Sequence, residues 1–407
     1  MTANRAPQGR AAPIRHVARR RRPLLTAVKV LAATLAVVLV STLGVAGFEA
    51  WRVGRELSDG AVDIGNGSKA APVSIAAMRG AFNVLLVGAD NAPGQKHFGE
   101  ARDATLNDVN ILVHIAADHR SGTVISFPRD LVIAHPQCTD PVTHAVYSAM
   151  SAQPLNTAFA RGGLGCVVAT VNNLTGIPIP YASLFSFQGT VAMADAVGGV
   201  PVCVTKAIDD PDSGLTLPAG RSIVKGRTAL AYLRDRHGVG DGSDLARIAS
   251  QQAYMSSLLR TMTARSTFTD PAKLYGLATA AGANVTLSKS LADPNTIVTM
   301  ALALKKLNLN KMVFVQYPVG TDPADSNKVV PSTALAAELV DRVLRDRPVG
   351  LDDDSLGSNA ALSGRSTDAH NAETVAAPTG KKHTADDTIP GLHGQTAGQR
   401  TCSVAND

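Results

Sequence analysis

At 407 residues, 45% of them apolar and 4% aromatic, the chain has enough hydrophobic content to bury the core of one large domain or two. Its net charge of +6 belongs to one end: residues 1–29 carry Arg5, Arg10, Arg15, Arg19, Arg20, Arg21, Arg22 and Lys29 without an acid, and the remainder of the chain is slightly acidic. That distribution, with no zinc-finger spacing, no RNA-binding signature and no basic patch interleaved with aromatics, excludes a nucleic-acid partner.

After the basic tail, residues 30–48 (VLAATLAVVLVSTLGVAGF) hold no charge and are long enough to cross a bilayer, so they read as one transmembrane helix. The arginines before it place the N-terminus in the cytoplasm and everything after residue 50 outside, with Trp51 and Arg52 at the far interface. A cleaved signal peptide ending near Val45-Ala46-Gly47 is the alternative. In that oxidising compartment the four cysteines are expected in disulfides, for which three pairings exist. Cys138, in the loop HPQCTDP, with Cys166, after Gly162-Gly163, is the preferred pair, which leaves Cys203 with Cys402. No C-x₂-C spacing supports the rival, a four-cysteine metal site.

Residues 49–79 form a polar spacer, and the folded domain is expected over 80–345. Residues 82–87 (FNVLLV) read as a buried strand that ends at Gly88 and presents Asp90 at its C-terminal end, the edge where open α/β sheets build sites. Asp108 precedes a strand over 109–115, and a hairpin-like turn at 119–122 leads into a third over 123–127. Pro128 stops that strand and fixes Arg129 and Asp130 beyond it. Helical patterns follow Asn156 as far as Leu174, where Gly176 and Pro178 end them, and again over 188–197, where Gly198-Gly199 stop them ahead of a strand at 200–204. The acidic stretch 209–217 fits no EF-hand spacing and reads as a solvated loop.

Residues 229–252 (ALAYLRDRHGVGDGSDLARIASQQ) hold the densest chemistry. Arg234 and Arg236 share one side if the backbone there is extended. A glycine turn then leads to Ser243, a helix N-cap, and Asp244, Arg247 and Gln251 share one helical face. Guanidiniums fork onto phosphate oxygens, so three of them around one turn point to a phosphate or diphosphate site. Asp244 itself reads as a helix-start charge and His237 as a loop residue. Helices are expected over 251–264, 271–281, 293–307 and 333–345, with a strand at 311–317. Residues 346–407 are expected to be a polar, largely disordered tail, with 389–402 tied back by a cysteine.

The ordered set Val84-Leu85-Leu86-Val87-Gly88-Ala89-Asp90, Asn107-Asp108, Ser126-Phe127-Pro128-Arg129-Asp130, Asn156 with Gly162-Gly163, Ala196-Val197-Gly198-Gly199-Val200, Arg234-Asp235-Arg236 and Ser243-Asp244-Leu245-Ala246-Arg247 with Gln251 resembles the LytR-CpsA-Psr family over about residues 80–260. The resemblance implies a membrane-anchored phosphotransferase of a Gram-positive or actinobacterial-type envelope. Such an enzyme moves a glycopolymer, of teichoic acid or arabinogalactan type, from undecaprenyl diphosphate to the muramic acid C6 hydroxyl of peptidoglycan. It also implies Mg²⁺ or Mn²⁺ on Asp90 and Asp108 and a diphosphate clamp of Arg129, Arg234, Arg236 and Arg247 with Gln251 as a polar contact; Asn156 reads as either a turn cap or a further contact, and Asp130 or a metal-bound carboxylate as the candidate base. Leu106 and Pro154 stand where the family usually has arginine and lysine, so one or two of its diphosphate contacts are missing here; Arg102 is a candidate substitute for the arginine. A hydrolase of the same lipid diphosphate and a non-enzymatic polyprenyl-lipid-binding regulator are the competing readings. The expected fold is α/β, a single central mixed β-sheet flanked by helices (α-β-α), preceded by one transmembrane helix.

Overall fold

A computed structural model describes residues 61–65, 78–90, 105–264, 284–363 and 387–406, with isolated positions in 48–60 and 276–280. These lie, apart from Phe48 and Arg52, in one unit running from Val53 to Asp407. The expected span at 30–48 is outside the described residues but for Phe48, as are the loop 91–104, the segment 364–386 and most of the helix expected over 271–281. Among the described residues no helix is long and apolar enough to cross a membrane.

The chain enters the domain through a meander of β1 (Phe82–Ala89), β2 (Asn107–Ile115) and β3 (Gly122–Phe127). Two small hairpins come next, pairing β4 (Val132–His135) with β7 (Met150–Pro154) and β5 (Cys138–Thr139) with β6 (Val146–Tyr147). Helix α1 (Ala158–Thr175), bent at Gly162 and Gly163, stops at Gly176, whose φ of 67° is cheap only without a Cβ. Strand β8 (Tyr181–Phe185), helix α2 (Phe187–Ala196) and strand β9 (Val200–Val204) follow. The stretch expected as an acidic loop is instead a hairpin of β10 (Ile208–Asp210) and β11 (Leu215–Leu217), because Ile208, Leu215 and Leu217 are buried. Then come β12 (Gly220–Val224), α3 (Gly226–Arg234), α4 (Asp244–Thr263), β13 (Val285–Leu287), α5 (Pro294–Leu304) and β14 (Met312–Gln316). A hairpin of β15 (Val319–Asp322) and β16 (Asp325–Pro331) precedes α6 (Thr333–Leu344), β17 (Ala360–Leu362), β18 (Gly394–Thr396) and β19 (Thr401–Ser403).

The central sheet has seven strands in the order β13-β8-β1-β2-β3-β14-β18, with β1·β8 and β3·β14 parallel and its other pairs antiparallel. Alternation along each strand sends residues to opposite faces. Leu85, Val87, Leu112, Ile125 and Val313 pack with Val167 and Val171 of α1 and Leu339 of α6. Phe82, Ile111, Val124, Met312 and Phe314 pack on the other face with Met300 and Ala303 of α5 and with Leu259 of α4. This is the α-β-α layering expected from the sequence. A third cluster lies under a four-stranded sheet, β12-β9-β19-β17, which no pattern in the sequence announced.

Residues 346–363, which include β17, and 387–406 are not a disordered tail. They supply an edge strand to the central sheet and two strands to the smaller one, and polar side chains among them are buried because they are hydrogen-bonded inside the fold: Gln395 Nε2 donates to Ser256 Oγ (3.1 Å), Thr401 Oγ1 to Gln395 Oε1 (2.5 Å), and the hydroxyls of Tyr232 and Ser403 share a bond of 2.6 Å. Disulfides join Cys138 to Cys166 and Cys203 to Cys402.

Candidate active site: an acid and arginine cluster at one end of the sheet

Because β2 runs antiparallel to both β1 and β3, the end of β1, the start of β2 and the end of β3 meet at one edge. Asp90 stands one residue past β1; its N–H donates to Leu106 O (3.1 Å) and its Oδ1 accepts the Leu106 N–H (2.9 Å). Leu106, lacking the guanidinium usual at that position, therefore meets Asp90 through its backbone, and Arg102 lies outside the described residues. Asp108 is inside β2 rather than ahead of it, since the pairing of Ala89 with Asn107 extends the ladder past the polar pair. Asn107 is fully buried; its Oδ1 accepts from Phe159 N (3.0 Å) and its Nδ2 donates to Leu155 O (3.1 Å), which fixes the turn carrying Asn156 beside this edge.

Pro128 ends β3 and the next residue is the hub. Arg129 Nη1 donates to Asp108 Oδ1 (2.8 Å), and Nε donates to Asp130 Oδ2 (3.3 Å) and lies 3.9 Å from Asp244 Oδ1. Its backbone N–H donates to Asp244 Oδ2 (3.3 Å), and its carbonyl accepts the Asn156 N–H (2.9 Å). Burial alone would weaken the Arg129 charge, but Asp108 and then Asp130 and Asp244 outweigh it, so its pKa lies above the ordinary arginine value.

Helix α4 brings in the second arginine. Ser243 caps it, its Oγ accepting from Ala246 N (3.2 Å), and Asp244 in the first turn suits the helix dipole. One turn later Arg247 Nη2 reaches Asp244 Oδ1 (2.5 Å) and donates to Asp108 O (3.1 Å). Burial, with Arg129 and Arg236 nearby, lowers the Arg247 pKa against the pull of Asp244 and Asp108. Arg236 thus belongs to the same cluster, and the Nε–H groups of Arg236 and Arg247 are buried with no acceptor among the described residues.

Two expected contacts fall elsewhere. Arg234, the last residue of α3, is exposed, and its guanidinium lies 4.7 Å over the Phe187 ring. Gln251 is buried and donates to Leu233 O (3.0 Å), tying α4 to the end of α3. Asp235, between Arg234 and Arg236, is fully buried; burial and the adjoining Asp210 carboxyl push its pKa up to about 7. Sequence reasoning undervalued Asp244, which bridges the hub and Arg247; its i, i+3 spacing to Arg247 was the signal available.

A family model described as the LytR_cpsA_psr family matches residues 53–342, well over half of the sequence. The chain belongs to the LytR-CpsA-Psr family. Among its relatives in this family is the cell wall biosynthesis protein LcpA of Corynebacterium glutamicum, 33% identical over 267 residues, which are 59% of this chain and 50% of that protein. The chain thus spans about half the length of that relative. The polyisoprenyl-teichoic acid–peptidoglycan teichoic acid transferase TagT of Bacillus subtilis is 26% identical over 250 residues, 59% of this chain and 72% of TagT. A solved structure of TagT bound to LIIa-WTA has the same fold at 20% identity, with a TM-score of 0.51 over 70% of this chain and 98% of that one. LytR-CpsA-Psr membership thus rests on a match that contains Asp90, Asp108, Arg129, Asp130, Arg236, Asp244 and Arg247, the charged residues of this sheet edge.

Proposed function

We propose that the cluster binds the diphosphate of a polyprenyl-linked glycopolymer and transfers the polymer phosphate to a peptidoglycan hydroxyl, taken as the muramic acid C6 hydroxyl. The observation that carries the reading is the pair of buried guanidinium N–H groups without acceptors at Arg236 and Arg247, beside the partly exposed Arg129. A buried unsatisfied donor costs about 1–3 kcal/mol, more when charged, and a phosphate oxygen would relieve it. Family membership and the names of its relatives support the same class of transfer.

The donor set suits a hard divalent cation. Asp90, Asp108, Asp130 and Asp244 place four carboxylates at an edge with three clustered guanidiniums, so an incoming diphosphate needs further positive charge. Asp90 and Asp108 would hold Mg²⁺ or Mn²⁺, which supplies charge neutralisation to the phosphates. The chain's own residues do the rest. Arg129 presents a planar fork to one phosphate while Arg236 and Arg247 bind oxygens from the α4 side. The acceptor oxygen forms its bond to the phosphorus on the polymer side, the bond to the bridging oxygen breaks, and polyprenyl phosphate leaves. Asp130, 25% exposed at the edge of the cluster, takes the hydroxyl proton. A membrane helix at 30–48 would tether the domain outside the cell, within reach of both lipid donor and wall.

The test is to incubate the full-length protein in detergent with polyprenyl-diphosphate glycopolymer and Mg²⁺, with and without peptidoglycan. Polymer bound to peptidoglycan, and little release without it, supports transfer. Equal release of free polymer without acceptor makes the protein a hydrolase, and retention of intact lipid without turnover makes it a binding protein.

A further inference from the structure

The turn that carries Arg234 and Arg236 also touches a second group of ionisable side chains, outside the arginine cluster. Hairpin β10–β11 places Asp210 at its bend, where the carboxylate accepts the N–H groups of Asp212 (3.0 Å) and Ser213 (3.3 Å). Asp212 meets His237 across the gap, Oδ2 to Nδ1 at 3.0 Å. Oxygen and nitrogen atoms of Asp210, Asp212 and His237 able to ligate a metal all lie within 4.8 Å of one another.

Acids in a turn are common, and Asp235 is what sets this group apart. Its side chain is fully buried, Oδ1 accepts the Gly238 N–H (3.0 Å), Oδ2 meets no N–H or hydroxyl donor, and the carboxyl shares a hydrogen bond with that of Asp210. Among the described residues no lysine or arginine forms an ion pair with Asp210, Asp212 or Asp235. Two buried carboxyls share a hydrogen bond only while one keeps its proton, a place a bound cation would take. The backbone around them is held in place. A Cβ on Gly238 would come within 2.5 Å of Ile208 Cγ2, Gly240 N donates to Val404 O (2.8 Å), and Asn406 N donates to Gly238 O (3.0 Å).

We propose that Asp210, Asp212 and His237, backed by Asp235, bind a divalent cation of the zinc class, which ties hairpin β10–β11 to the turn carrying Arg234 and Arg236. The mixed donor set decides the class: imidazole suits zinc and is a poor ligand for calcium or magnesium, which take oxygen. Ligand atoms around zinc stand roughly 3.3 Å apart, given bonds of about 2.0–2.2 Å. Reaching that from 4.8 Å needs only rotation of Asp212 and His237, whose side chains are 73% and 65% exposed. Asp210 and Asp235 stay where the fold holds them.

The experiment is calorimetric titration of chelator-stripped full-length protein in detergent with zinc chloride, in excess magnesium chloride to occupy the Asp90 and Asp108 edge. With the Asp90 and Asp108 edge filled by Mg²⁺, the proposal expects one saturable zinc site. Asp212→Asn and His237→Ala should weaken it by about tenfold or more, while Asp108→Asn leaves it unchanged. The cation should also raise the melting temperature of the wild type and of Asp108→Asn but not of the other two. Because Asp212 and His237 are exposed, both variants are expected to melt like the metal-free wild type. Absence of saturable binding in the wild type overturns the proposal, as does binding that survives in both variants or vanishes only in Asp108→Asn.

Discussion

Asp244→Asn separates the ion-pair hub from an ordinary helix start. The substitution keeps size and an acceptor oxygen but removes the charge shared by Arg247 (2.5 Å) and Arg129 (3.9 Å). The Asp244 and Arg247 side chains are 9% and 6% exposed, so their pairing is screened little by water. Breaking a buried pair outright costs about 3–5 kcal/mol, and the retained amide oxygen recovers part of this, which leaves about 2 kcal/mol. For a domain of this size that lowers the melting temperature by about 3 °C. Arg129 also loses the acceptor of its backbone N–H as a charged partner, so transfer should fall by about 10- to 100-fold. Asp244→Glu restores the charge with a longer arm and should recover the melting temperature more than the rate. The assay is single-turnover transfer beside thermal melting, with Asp130→Asn, whose carboxylate is 25% exposed, expected to shift the melt by less than about 1 kcal/mol equivalent. If Asp244→Asn melts and transfers like the wild type, the pair does not organise the cluster.

Asp108→Asn keeps an oxygen for Arg129 Nη1, so stability should change by only about 1 kcal/mol while Mg²⁺ affinity and transfer collapse; normal transfer at low Mg²⁺ would assign the carboxylate a structural role. His135 is buried, and burial with the nearby Arg161 charge lowers its pKa from 6.5 to about 4. The unfolded chain takes up that proton first, so this stabilisation is full above pH 6.5 and lost as pH falls toward 4, by on the order of 2–3 kcal/mol. Denaturant unfolding of His135→Phe should lack this slope, and an unchanged slope would place its origin elsewhere. Cys203 and Cys402 close a 199-residue separation, so the double serine variant should lose about 2–5 kcal/mol in non-reducing denaturation; an unchanged midpoint would make the C-terminal strands independent of the bridge.

The strands of the meander and helices α1 and α2 were legible because apolar runs there are bounded by glycine and proline, as at Gly176 and Gly198-Gly199. What failed shares one physical cause, polar residues buried by partners distant in sequence. Gln395, Thr401 and Ser403 look solvated in isolation, yet each finds its bond inside the fold. The acids of 209–217 masked the alternation of Ile208, Leu215 and Leu217. At the site, residue types and order were readable, and so was the shared face of Asp244 and Arg247. That Asp244 also serves Arg129, 115 residues away, was not, nor was the rotation of Arg234 onto Phe187, which depends on where α3 ends.

The central claim is that the guanidinium cluster holds a lipid diphosphate during transfer, and Arg129 tests it most directly. Lysine supplies charge without the planar fork that reaches Asp108 and Asp130 together, and alanine supplies neither. Single-turnover transfer from a polyprenyl-diphosphate glycopolymer to peptidoglycan, with a melting curve for each protein, should show Arg129→Lys losing most of the rate. Arg129→Ala should lose on the order of 10²- to 10³-fold, with both variants folded. A folded Arg129→Ala that transfers at the wild-type rate would contradict the account.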